Sequence, residues 1–344
     1  MSPATPAVEP GAGGFGTLTP ERVLDVLAAA GVHGDGRLLQ LNSYENRVFL
    51  VHLDDGDAVV AKFYRPARWN DLQILEEHAF AVELAADDVP VVAPRAFDRR
   101  ACRADAVALG GDPPTLATDL HHGWRFSVSP RHAGRSPDLE DPAVAAWLGR
   151  FIGRLHAVGA RRRFEHRRTL GVATWGDASR QWLLDHDAVT PAERDAWRSA
   201  CDDTLALVRA AFARVDALRT LRLHGDCHLG NILWRDEGPH VVDLDDACNG
   251  PAVQDLWMLL PEGPHAAAAW AALLDGYRLF VPFDARELAL IEPLRTLRML
   301  HHSAWLARRW SDPAFPVAFP WFGTPAYWSQ QTTQLREQVE LMSG

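Results

Sequence analysis

The spacing of apolar residues changes once along this chain, and that change limits the fold more than any single motif. Between residues 38 and 64 the apolar stretches are short and broken by turn residues, with Asp54-Asp55-Gly56-Asp57 placed as a hairpin turn between RVFLVHL and AVVAKFY. That pattern predicts a small antiparallel sheet. After Pro142 the apolar residues recur at helical spacing, most clearly in AVAAWLGRFIGRLHAVGA and again near 191–214, 265–280, 284–310 and 326–341. Pro293 is expected to kink or interrupt its helix. Two helices are expected in the first part, one capped by Thr19, opened by Pro20 and stopped at Gly31, the other over 71–86. Further strands are expected around 91–97 and 115–128. The result is an α+β chain: a Pro-, Gly- and Ala-rich flexible tail over 1–17, a sheet lobe over 18–130 and a helical lobe over 131–344. The helical lobe is interrupted by a compact non-helical insert at 221–246, whose runs ILW and VVDL read as short strands.

Composition removes several classes. The 344 residues are long enough for two lobes and carry 47% hydrophobic and 23% charged residues, as a globular protein does. A net charge of −10 argues against a nucleic-acid partner. No apolar run approaches the roughly 20 residues that span a bilayer, and the N-terminus lacks a basic start followed by an apolar run, so a cytoplasmic protein with no membrane partner is expected. Four cysteines without a C-x-x-C pair suggest neither a disulfide framework nor a structural zinc site. A monomer is the expectation.

The insert carries the chemistry. Leu221 to Asn231 includes His224, Asp226 and Asn231 at H-x-D-x-x-x-x-N spacing, and Asp243 follows twelve residues later in an apolar strand. This is the spacing of a kinase catalytic loop, where Asp226 would accept the proton of an attacking hydroxyl while Asn231 and Asp243 hold magnesium through hard oxygen atoms. Alone, the pattern also suits a tight turn in which Asp226 caps backbone amides. Lys62, in Val59-Val60-Ala61-Lys62, supplies the second element: a lysine on an apolar strand, near the V-A-I-K pattern, needs an acidic or phosphate partner. Glu77 on the following helix is the natural acid, with Glu76 facing about 100° away. The order Lys62, Glu77, His224, Asp226, Asn231, Asp243, with a sheet lobe before a helical lobe, makes coincidence a poor explanation.

These stretches, together with LNSYENRVF, QILEEH, VDLDDACNGPAVQDLWMLL and RRWSDPAFP, make the chain resemble the aminoglycoside phosphotransferase and choline kinase superfamily. Within it the chain resembles the stress response kinase A family of bacterial serine/threonine kinases, over nearly everything from residue 18 to about 335. The resemblance implies a two-lobed protein-kinase-like fold, ATP as co-substrate, Mg2+ as cofactor, a protein substrate with a Ser or Thr acceptor, and a role in stress response. It also implies Asp226 as proton acceptor, Asn231 and Asp243 as magnesium ligands, with Asp243 counted among the catalytic residues. Lys62 and Glu77 would be the ATP-orienting pair and Ser43 a contact to the phosphates.

The turn at 41–47 has no glycine, so phosphate contacts there would come from backbone amides and Ser43, or from Arg47 or Arg65; an ordinary Asn- and Ser-rich turn reads equally well. Asp245 is a further metal ligand or a hydrogen-bonding brace. Asp255 reads as a helix cap or a brace for the catalytic loop, His224 as support for the loop, and His156 as a packing residue nearby. Two other functions fit part of the pattern: a small-molecule hydroxyl kinase with the same catalytic residues, and, remotely, a metal-dependent hydrolase using His224, Asp226, His228, Asp243 and Asp245.

Overall fold

The computed structural model describes residues 15–139, 141–236, 238–260, 263 and 266–343. Of the tail expected over 1–17, residues 1–14 lie outside the described residues. Phe15–Thr17 form a short 3₁₀ turn, and the Phe15 ring lies 4.6 Å from the Arg47 guanidinium and 5.6 Å from that of Arg65.

The chain divides into two compact units. One takes residues up to 135 together with 233–245, and the other takes 136–232 and 246–344. The first opens with α1 (Pro20–Ala29), whose Thr19 hydroxyl accepts from the Arg22 amide. It continues through β1 (Gly34–Leu41), β2 (Arg47–Leu53) and β3 (Ala58–Phe63) into α2 (Asp71–Ala86). Asn70 and Gln73 close a reciprocal capping box at the start of α2, which fixes where the helix begins. β4 (Val107–Gly110), β5 (Leu116–Asp119) and β6 (Arg125–Pro130) complete a six-stranded sheet in the order β1-β2-β3-β6-β5-β4, and every pair in it is antiparallel. Phe49, Phe63, Phe97 and Phe126 bury their rings against Val23 and Leu27 of α1, with Phe63 and Phe126 stacked at 5.2 Å. Strand alternation therefore leaves Lys62 on the other face, paired in register with Val48 and Ser127.

One expected strand is absent: over 91–97 only Val91 makes a bridge, parallel to Val241. Pro90 and Pro94 remove the donors that a ladder would need there.

The second unit is mainly helical. α3 (Pro142–Gly159), α4 (Ala178–Asp185) and α5 (Arg194–Arg214) come first, followed by β7 (Leu221–Leu223). The β8 (Ile232–Arg235) and β9 (Gly238–Val241) hairpin belongs almost wholly to the first unit. β10 (Cys248–Gly250) then returns to pair antiparallel with β7. α6 (Val253–Trp257), α7 (Ala266–Arg278), α8 (Ile291–Arg308), α9 (Ala314–Ala318) and α10 (Pro325–Ser343) finish the chain. α3 and α7 touch backbone to backbone: a Cβ on Gly149 would lie 1.9 Å from the Leu273 carbonyl, and one on Gly276 would lie 2.1 Å from that of Ala146. Trp197 of α5 and Trp328 of α10 are fully buried and meet edge to face at 5.8 Å; truncating such a core Trp to Ala costs roughly 3–5 kcal/mol.

Of the kink or interruption expected near Pro293, the structure has an interruption. The segment 284–310 splits into a 3₁₀ stretch, Ala285–Leu290, and α8, in whose first turn Pro293 sits. A proline is tolerated there because the first-turn amides have no intrahelical acceptor to lose.

The four cysteines are free. No helix among the described residues is long and apolar enough to cross a membrane.

Candidate active site

In the first unit a network of charges gathers around Asp243, the second residue after β9. Lys62 Nζ lies 2.9 Å from Asp243 Oδ1 and 3.8 Å from Asp245 Oδ1. Asp243 has φ +63°, a left-handed backbone that aspartate tolerates better than most residues, and a short 3₁₀ turn, Leu244–Asp246, follows it. The Asp243 side chain is half exposed, whereas that of Asp245 is buried. Asp245 Oδ2 accepts from Asn46 Nδ2 at 3.0 Å and from Arg68. The two carboxylates of Asp243-Leu244-Asp245 thus differ: one is open to a ligand, and the other ties β9 to the residues flanking β2 and β3.

Glu77 is buried on α2. Burial alone would push the Lys62 ammonium down, but the charges of Asp243, Asp245 and Glu77, in that order, outweigh it and hold Lys62 well above the ordinary lysine range. The close contact of Lys62 is therefore Asp243, with Glu77 adding to its field. Ser43 lies half-buried in the turn between β1 and β2. Arg65 holds that turn, donating to the Glu45 carbonyl at 2.8 Å and the Tyr44 carbonyl at 3.0 Å, while its amide donates to Asn46 Oδ1 at 3.0 Å. Arg47 donates to the Tyr44 carbonyl at 3.4 Å. Both arginines that sequence offered as phosphate contacts thus have structural partners within the turn.

In the second unit the loop after β7 is fixed through its main chain. Asp255, fully buried in the first turn of α6, accepts from the His224 amide through Oδ2 and from the Gly225 amide through Oδ1, both at 2.8 Å. Its Oδ2 also lies 3.1 Å from His156 Nε2, and His156 Nδ1 is 3.0 Å from the Tyr277 hydroxyl. Gln254 Nε2 donates to the Gly225 carbonyl at 3.1 Å. Gly225 has φ +84° and lies so near the Asp246 carbonyl that an added Cβ would come within 2.2 Å of it, so no other residue fits without movement. His224 Nδ1 accepts from the Asp226 amide at 3.3 Å, and Asn231 Nδ2 donates to the Asp226 carbonyl at 3.0 Å. The loop brings Asp226 and Asn231 together, as their spacing suggests, and Asp255, His156 and His224 hold it.

Two partners of Asp226 were not foreseen. Arg298 Nη1 of α8 lies 2.5 Å from Asp226 Oδ1, and His228 Nε2 lies 3.5 Å from Oδ2. Burial raises the Asp226 carboxyl, but hydrogen bonding and charge from His228 and Arg298 overcome that and hold it well below the usual carboxylate range. His228 sits two residues from Asp226 and could have been weighed from the sequence. Arg298 is 72 residues away with no local signal, and only the path of α8 brings it in.

With this geometry in hand, comparison with known proteins is direct. The phosphotransferase enzyme family (APH) matches residues 37–291. Stress response kinase A of Escherichia coli (strain K12) is 42% identical over 330 residues, covering 95% of this chain and 94% of that protein. The serine/threonine protein kinase RdoA of Salmonella typhimurium (strain LT2) is 43% identical over the same shares. Among solved structures, amicoumacin kinase hAmiN in complex with AMP-PNP, Ca2+ and Ami shares the fold with a TM-score of 0.67 at 17% identity, over 93% of this chain and 92% of that one. A microcompartment-associated aminopropanol kinase does so with a TM-score of 0.63 at 18% identity, over 93% and 96%. The antiparallel sheet and helical part expected from sequence are those of this kinase-like fold, which implies ATP as co-substrate. The chain is a phosphotransferase belonging to the APH family.

Proposed function

We propose that this kinase transfers the γ-phosphoryl group of magnesium-bound ATP to Ser or Thr hydroxyls of proteins, in stress response, with Asp226 as proton acceptor. The observation that carries the reading is the Asp226 loop, clamped by two main-chain hydrogen bonds to buried Asp255, in a chain that also pairs Lys62 with Asp243. The names of relatives 42–43% identical over 95% of the chain support the protein acceptor and the stress role.

Phosphoryl transfer asks a protein for positioning and charge neutralisation more than covalent chemistry. Lys62 would exchange Asp243 for the α and β phosphates, releasing the half-exposed Asp243 carboxylate. Asn231, whose Nδ2 is committed to the Asp226 carbonyl, keeps its Oδ1 for a cation. Asp243 and Asn231 would each offer one hard oxygen, the kind of ligand magnesium takes while retaining water and phosphate ligands. Magnesium would offset the charge on the phosphates. Among the described residues, no group of three or more His, Cys, Asp or Glu is arranged to hold a metal.

Asp226 stays ionised through the physiological range. It orients the acceptor hydroxyl and takes its proton late, as a weak base can in a loose transition state. Purified protein with magnesium, γ-labelled ATP and a general protein acceptor tests the proposal. Label on Ser or Thr with wild type, and none with Asp226→Asn, is expected. ATP binding with no label on protein moves the acceptor to a small molecule.

A further inference from the structure

Arg298 is the feature of the site that the reaction outlined above does not use. It extends from α8 onto Asp226, and residues 295, 298 and 302 share that face of the helix because they are spaced three and four apart. Arg295 pairs with Glu292 at 3.2 Å and stands over the Trp257 ring at 5.2 Å. With Trp257, Met258, Leu260 and Trp270 it lines a cavity of about 500 Å³. Trp257 Nε1 donates to Gln254 Oε1 at 3.1 Å, and Gln254 in turn holds the Gly225 carbonyl, so one wall of the cavity is bonded to the catalytic loop. His302 is exposed one turn beyond Arg298. The face presented beside Asp226 therefore carries two arginines and aromatic rings, the arginines paired with Glu292 and Asp226.

An acceptor hydroxyl that takes Asp226 Oδ1 displaces Arg298, which holds that oxygen. The guanidinium, with a side chain about one-third exposed, then needs another anion, because a partly desolvated cation without a partner is costly. It has five donors in a planar fork suited to a carboxylate. An ammonium on the acceptor would meet like charge at the same place. Resting on the protein-kinase reading above, we propose that the acceptor segment carries an acidic residue beside the phosphorylated hydroxyl, bound by Arg298 as the hydroxyl takes over Asp226. Arg298 is thereby a specificity residue for acidic acceptors.

The test uses the full chain with magnesium-ATP and three peptides that differ only in the residues flanking one Ser: Glu, Gln or Lys. Wild type is expected to favour the Glu peptide over the Gln peptide by about tenfold in kcat/KM, as one charge-assisted contact provides, with the Lys peptide poorest. In Arg298→Gln, with ATP binding checked as evidence of folding, that advantage should collapse through a higher KM for the Glu peptide, and Arg298→Lys should restore part of it. Equal kcat/KM on all three peptides with wild type overturns the proposal and leaves the protein-kinase reading standing. An Arg298→Gln defect confined to kcat and equal for every peptide also overturns it, placing the guanidinium on the transferring phosphoryl group instead. Failure to label any peptide or protein, with transfer to a small alcohol, removes the protein-kinase reading and this proposal with it.

Discussion

The candidate residues of the two units are held in opposite ways. Around Lys62, charge answers charge: Asp243 on an exposed edge, Asp245 behind it, and Arg68 and Asn46 behind that. Around Asp226, a buried carboxylate grips backbone amides, and a histidine and a tyrosine stand behind the carboxylate. Asp243, half exposed, can exchange its ion pair for a cation at less cost than a buried partner could. A buried carboxylate holding two amides cannot let go without stranding several polar groups. On the proposed reading, the half-exposed Asp243 is the residue that changes partner, and the Asp226 loop is held still by its main chain.

Asp255→Ala gives the largest effect expected from this comparison. It strands the amides of His224 and Gly225 together with His156, and should cost about 3–5 kcal/mol in chemical denaturation. A loss under about 1 kcal/mol would put the two regions on the same footing. Glu287 sharpens the comparison next, because it accepts from the Val253 amide at 2.9 Å and so supports α6, the helix that carries Asp255. Burial pushes its carboxyl up to about 7 from an ordinary 4.5. Between those values the native state keeps a proton that the unfolded chain has released, so this residue makes stability fall as pH rises through that window. Denaturation of Glu287→Gln across pH 4 to 8 should lack this slope and show a gain of up to roughly 3 kcal/mol at pH 8; identical slopes in both proteins would remove Glu287 as its source. Lys62→Met is the smallest. ATP affinity measured by calorimetry should fall roughly tenfold, as for one charge-assisted contact. Unchanged affinity would mean that Lys62 does not meet the nucleotide.

Much of this was legible in sequence because its determinants are local. The cap at Thr19, the alternation that turns Lys62 away from the phenylalanine core, and the loop from His224 to Asn231 each depend on neighbours within a few residues. Asp255 read as either a cap or a brace, and its hydrogen bonds to the loop make it a brace. What escaped depends on chain paths: Arg298 reaches Asp226 across 72 residues, and Asp245 finds Arg68 across 177. The strand expected over 91–97 failed for a local reason, two prolines in an apolar run, while the break expected at Pro293 falls just before it, where the 3₁₀ stretch ends and α8 begins.

The account stands most directly on Asp226, and calorimetric titration of ATP beside single-turnover phosphoryl transfer, on wild type and Asp226→Asn together, tests it. ATP affinity should be the same in both, and transfer should be slower by roughly 10²- to 10⁴-fold in the variant, as for loss of a general base. Equal transfer rates would contradict the assignment of Asp226 as proton acceptor.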